Sequence, residues 1–123
     1  MKLDIKLCQK ILLKIEEEGN QYGLEEFPKI DGVDDHFIYY QIKKMEEAGY
    51  VTYKVYGKGH KSDYDYFKVD IKYSGHEFLH QMLDQTIWNK TTELAKKGGV
   101  QLTFETVKAI IPIAINTIIN SIK

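Results

Sequence analysis

The chain has 123 residues, 43% of them apolar and 28% charged, with a formal net charge of -1. That size suits a single domain with one core, and that balance excludes wholesale disorder and any global attraction to nucleic acid or anionic membrane. A single cysteine, Cys8, excludes an internal disulfide framework or a multi-cysteine zinc finger and fits a reducing cytoplasm.

Along the chain, Ile5, Cys8, Ile11, Leu12 and Ile15 recur at helical spacing, with Asp4 as cap and Gly19 as stop. Asp4 to Glu18 therefore reads as a first amphipathic helix, with Cys8 a small core residue. The charges at Lys2, Asp4, Lys6, Lys10 and Lys14 argue against a signal peptide. Gly19 to Asp35 is loop-like, broken by Gly19, Gly23, Pro28 and Gly32. From Glu16 to Asp35 there are eight acidic residues against Lys29 alone, which reads as a solvated face or a docking patch for a basic partner.

Asp34 or Asp35 can cap a second helix running to Ala48 and closed by Gly49. Phe37, Ile38, Gln41, Ile42, Met45 and Ala48 fall on one side of it, and His36, Tyr39, Tyr40, Lys43, Glu46 and Glu47 on the other. Two alternating runs follow, Val51 to Tyr56 and Phe67 to Lys72, joined by the polar turn Gly57 to Asp63; they predict a hairpin. Ser74 and Glu77 form an S-x-x-E capping box opening a long helix toward Gly98 and Gly99. Thr103 begins a last helix with Pro112 in its interior, which predicts a kink.

This order predicts an α+β fold: a winged helix-turn-helix of two N-terminal helices, a two-stranded wing and a long helix over residues 1–97. A C-terminal apolar helix for oligomerisation or docking follows over residues 98–123. The stretch IYYQIKKMEEAGYV resembles the third helix and following strand of winged-helix proteins, and YSGHEFL the turn from wing to next helix. Together, ILLKIEEE, GHEFL, DQTIWNK and TFETVKAI resemble an uncharacterised phage and prophage family, domain of unknown function 2513. The resemblance implies a winged-helix fold and no known chemistry. The segment between the first two helices departs from the pattern, because its glycines and proline oppose the short helix expected there.

His76-Glu77-Phe78-Leu79-His80 is a literal H-E-x-x-H, the spacing that puts two imidazoles on one helical face for zinc, with glutamate as general base. Three arguments count against a zinc hydrolase. Glu77 is expected to cap Ser74, no third ligand stands out beyond the unsupported Glu93 and Glu105, and the winged-helix pattern already accounts for GHEFL. The sequence thus predicts no catalytic residues, no metal and no cofactor, and hence no enzyme.

Binding remains. The expected recognition helix offers His36, Tyr39, Tyr40 and Lys43 near its N-terminus, and the wing offers Lys58, His60 and Lys61. All 17 basic residues are lysine, so duplex DNA would be held weakly through phosphates rather than read by guanidinium. From Ala109 to Ser121 there is no charge. Phe104, Val107, Ile110, Ile111, Ala114, Ile115, Ile118, Ile119 and Ile122 cover about half of that helix, broader than an ordinary amphipathic stripe. Trp88 projects away from the core stripe of the preceding helix. These residues predict a homodimer, with fold-back on the chain's own domain as the other solution. The leading expectation is a cytoplasmic, DNA-binding regulator-like module. The alternative is a protein-interaction module without DNA binding, and a membrane partner is not expected because the polar face lacks lysine.

Overall fold

The computed structural model describes residues 1–55 and 66–122. Its elements are α1 (Ile5–Glu18), α2 (Asp35–Glu47), β1 (Val51–Val55), β2 (Phe67–Ile71), α3 (Tyr73–Leu83), α4 (Gln85–Gly98) and α5 (Phe104–Ser121). Among the described residues this is an α+β chain of five helices and one two-stranded antiparallel sheet. No helix among them is long and apolar enough to cross a membrane. The chain forms two compact units, Met1–Leu79 and His80–Lys123, and the boundary falls inside α3.

In the first unit α1 starts where the Asp4 carboxylate accepts the Leu7 N–H at 3.0 Å and stops where the Gly19 N–H reaches the Ile15 carbonyl. Its apolar stripe, Ile5, Leu7, Cys8, Ile11, Leu12 and Ile15, is buried. Asp34 caps α2 by accepting the His36 N–H, and Ile38, Ile42 and Met45 are buried with no exposed surface. Gln41 is equally buried, and the structure shows why a polar residue sits on that face. Its Oε1 accepts from the Asp4 N–H at 2.8 Å and lies 3.6 Å from the Cys8 Sγ, while its Nε2 donates to the Lys2 carbonyl at 2.9 Å.

The hairpin pairs Val51 with Ile71, Tyr53 with Val69 and Val55 with Phe67. Phe67, Val69 and Ile71 are buried in strict alternation, which is the period-2 pattern made physical. Residues 19–34 contain no helix. Asn20 and Gly23 close a small bridge, and Leu24 adds one rung to β2 by exchanging backbone hydrogen bonds with Val69 at 2.8 and 3.0 Å. Gly23 has φ +96°, and a Cβ there would lie 2.5 Å from the Val69 carbonyl oxygen, so this close approach requires glycine. Phe27 then sets its ring edge-on to Phe67 at 5.1 Å.

Two expectations about the following helix need correction. The capping box at Ser74 does not form. Helix α3 begins at Tyr73, with the Lys72 carbonyl accepting from the Gly75 and His76 N–H groups. Ser74 thus lies inside the first turn, where its hydroxyl donates to the Gly49 carbonyl at 2.6 Å. Nor is the helix continuous to Gly98. Asp84 accepts the Ile87 N–H at 3.0 Å and caps a new helix, an aspartate doing what its short side chain favours over helical propagation.

In the second unit α4 packs against α5. Thr91 and Ala95 on α4 and Val107, Ile111 and Ala114 on α5 are buried, with the Thr91 hydroxyl satisfied by the Ile87 carbonyl at 2.8 Å. Thr103 and Thr106 cap α5 reciprocally. The helix is assigned through Pro112 without interruption. Trp88 is half-buried rather than projecting freely, and one side of the isoleucine-rich helix finds its cover within the chain. Ile113, Ile119 and Ile122 remain 56%, 52% and 77% exposed.

Candidate functional site

Helix α2 orients the residues expected to meet a nucleic acid. His36 and Lys43 are exposed, and Tyr39 and Tyr40 are half-buried. Tyr39 is spent on packing. Its ring stands edge-on to Tyr53 at 5.6 Å, the two hydroxyls hydrogen-bond at 3.2 Å, and Tyr53 stacks on Phe67 at 5.7 Å. This aromatic cluster holds α2 against the hairpin. Tyr40 lies beneath the Lys44 ammonium at 5.3 Å, and Lys44 also pairs with Glu47 at 3.3 Å. The wing candidates Lys58, His60 and Lys61 lie outside the described residues.

The hairpin adds a feature that the sequence reading passed over. Lys54 and Lys68 are directly opposite in the register, so two ammonium-bearing side chains share one face of the sheet. Like charges placed opposite each other destabilise a strand pair. Lys68 leans over the Tyr22 ring at 5.7 Å, and Tyr22, Lys54 and Lys68 line an open trough that also includes Asp70. Finding the pair requires knowing how Val51–Val55 and Phe67–Ile71 are registered against each other, which no local pattern supplies.

Burial, followed by the Asp4 carboxylate, pushes the Cys8 thiol up to about 12, so it is an inert core residue. Burial likewise raises the Tyr50 hydroxyl, and burial with the Tyr39 hydrogen bond and the Glu46 and Glu47 charges raises Tyr53. In each case folding favours the protonated form. Their contribution to stability is therefore complete below the ordinary values of 9.0 and 10.0 and is lost as pH climbs past them. Thermal midpoints should fall from about pH 9 upward, with Tyr53→Phe reducing the loss, and a thiol reagent should modify Cys8 only after unfolding. Rapid modification of the native chain at pH 8 would contradict this account.

The H-E-x-x-H pair is only partly as expected. Glu77 is exposed and, with Ser74 bonded elsewhere, has no capping duty to that residue. Glu93, one of two sequence candidates for a third ligand, is engaged by Lys97 at 3.2 Å and Lys90 at 3.5 Å. Instead His76 Nδ1 sits 3.0 Å from Glu16 Oε2, a carboxylate sixty positions earlier in the chain.

Comparison with known proteins yields relatives of equally open function. An uncharacterized protein of Haemophilus influenzae is 24% identical over 110 residues, covering 89% of this chain and 92% of that one. No solved structure matches the chain. The model of the family described as "Hypothetical protein (DUF2513)" matches residues 2–101, and the chain belongs to that family.

Proposed function

We propose that this chain is a small DNA-binding, regulator-like module on a winged-helix scaffold, gripping duplex phosphates weakly through lysine. The order of α1, α2, the hairpin and α3 supports that scaffold, although residues 19–34 lack the helix an ordinary member carries there. The observation that carries the reading is the Lys54–Lys68 pair beside Tyr22: two like charges kept face to face, where an anion would relieve their repulsion. His36 and Lys43, exposed on a helix locked to the same hairpin, extend the contact surface.

Fluorescence anisotropy with random duplexes tests it. Affinity should fall with salt, each neutralised phosphate adding about -0.9 to the slope of log K against log salt. Lys54→Glu replaces a like-charge pair with an opposite one. It should weaken DNA binding and flatten the slope while raising fold stability by roughly 0.2–1 kcal/mol. A variant that loses stability, or binds DNA as the parent does, would remove the support.

Self-association through α5 is a second reading with its own observation, the exposed Ile113, Ile119 and Ile122 in a region with no charge from Ala109 to Ser121. Sedimentation at micromolar concentration should show a dimer. Ile115→Asp, at a half-buried position, should damage it more than Asn116→Asp, which is exposed. A monomer would leave α5 with its fold-back on α4 alone.

A further inference from the structure

The sheet face that Lys54 and Lys68 share carries a second pair of side chains. Asp70 stands directly opposite Thr52, two positions from the lysines along each strand, so all four occupy one side of the hairpin. Two residues of strand advance roughly 6.8 Å. That length separates a cationic end from an end bearing a carboxylate and a hydroxyl. Tyr22 closes one flank, with its ring beneath the Lys68 ammonium at 5.7 Å and still 59% exposed. With Gln21 and Tyr53 these residues bound a trough of about 290 Å³, just under the roughly 300–1,000 Å³ of small-molecule sites. All of them belong to the first unit. Among the described residues neither Lys54 nor Asp70 has an ion-pair partner, and Lys68 is already over the ring where a ligand would meet it.

We propose that this trough binds one guanine nucleotide, with its phosphate between Lys54 and Lys68 and the edge of its base on Asp70 and Thr52. The proposal rests on the reading of the lysine pair as an anion site and names what that site takes. A bare polyanion would meet the Asp70 carboxylate unfavourably. A ligand with an anion at one end and N–H donors at the other suits both ends. An ionised carboxylate only accepts hydrogen bonds. Guanine alone among the bases offers it two adjacent donors, N1–H and N2–H, and its O6 can accept from the Thr52 hydroxyl. The exposed Tyr22 ring supplies a surface on which a base can stack. Lysine holds the phosphate as a point charge, which needs no guanidinium. A free mononucleotide and an unpaired guanine in a strand offer the same chemistry, whereas a paired guanine has its N1–H and N2–H engaged.

Isothermal titration of the full chain with GMP at low salt should saturate with a dissociation constant of about 100 µM or tighter. AMP, CMP and ribose 5-phosphate should each bind at least about tenfold more weakly. A thymine oligonucleotide carrying one guanine, compared with the all-thymine strand, tells a strand-borne guanine from a free nucleotide as the source. Lys54→Gln and Asp70→Asn should each weaken GMP about tenfold or more, and Asp70→Asn should leave ribose 5-phosphate as it was. Lys10→Glu, exposed on α1 and outside the trough, should keep the parent affinity. Circular dichroism establishes that each variant is folded. The proposal is overturned if GMP shows no saturable binding below about 5 mM, or if GMP, AMP and ribose 5-phosphate bind alike. Duplex binding that depends on Lys54, in a chain that ignores GMP, would sink this proposal and leave the DNA reading standing. GMP binding without duplex binding would do the reverse.

Discussion

Gln41→Leu should cost the fold roughly 2–4 kcal/mol, although leucine matches glutamine in size and is more apolar. The reason is what the amide serves. It satisfies the Asp4 N–H and the Lys2 carbonyl at 2.8 and 2.9 Å from a position with no exposed surface. Removing it leaves a donor and an acceptor facing an apolar side chain, each costing about 1–3 kcal/mol unless water reaches them. It also frees the chain segment that leads into Asp4, the cap of α1. Urea unfolding should show a lower midpoint with an unchanged slope. A loss below about 1 kcal/mol would mean that the N-terminal segment re-solvates and that Gln41 is not a structural tie.

Gly75→Ala should be at least as damaging, with a sign opposite to helix propensity. Inside a helix, alanine normally exceeds glycine by about 0.5–1 kcal/mol. Gly75 lies in the first turn of α3, yet a Cβ there would overlap the Tyr50 carbonyl oxygen and stand 2.8 Å from Ile71 Cγ2. Backbone on one side and a buried strand residue on the other cannot move aside cheaply, so a loss of about 3 kcal/mol or more is expected. Gly98→Ala is the control. It is also helical, nothing lies within 4 Å of its Cβ position, and it should be neutral to slightly stabilising. If the two variants behave alike, the close passage of α3 over Tyr50 is wrong.

These two residues also mark the limit of local reading. Gln41 falls on the apolar side of α2 by its spacing, but its partners at Lys2, Asp4 and Cys8 are 33 to 39 positions away. Gly75 looks like an ordinary spacer between Ser74 and His76, and only the Tyr50 carbonyl makes it necessary. The candidate sites divide in the same way. His36, Tyr39, Tyr40 and Lys43 were legible as one helical face, yet Tyr39 turned out to be occupied by Tyr53 and Phe67. The Lys54–Lys68 pair and Glu16 were not legible at all.

By itself the sequence determined whatever repeats within one element. Stripes at i, i+3 and i+4 place α1 and α2, alternation places β1 and β2, and Asp4, Asp34, Thr103 and Gly19 mark their own helix ends. Such signals need only the chain's 3.6- and 2-residue periods and the hydrogen-bonding of a neighbouring side chain. Tertiary structure alone decided that Ser74 bonds Gly49 instead of capping α3, and that α5 lays Val107, Ile111 and Ala114 on the side where α4 packs. It alone brought Glu16 to His76. Each of these depends on where a second segment arrives in space, and the free energy of that meeting is distributed over contacts that no local window contains.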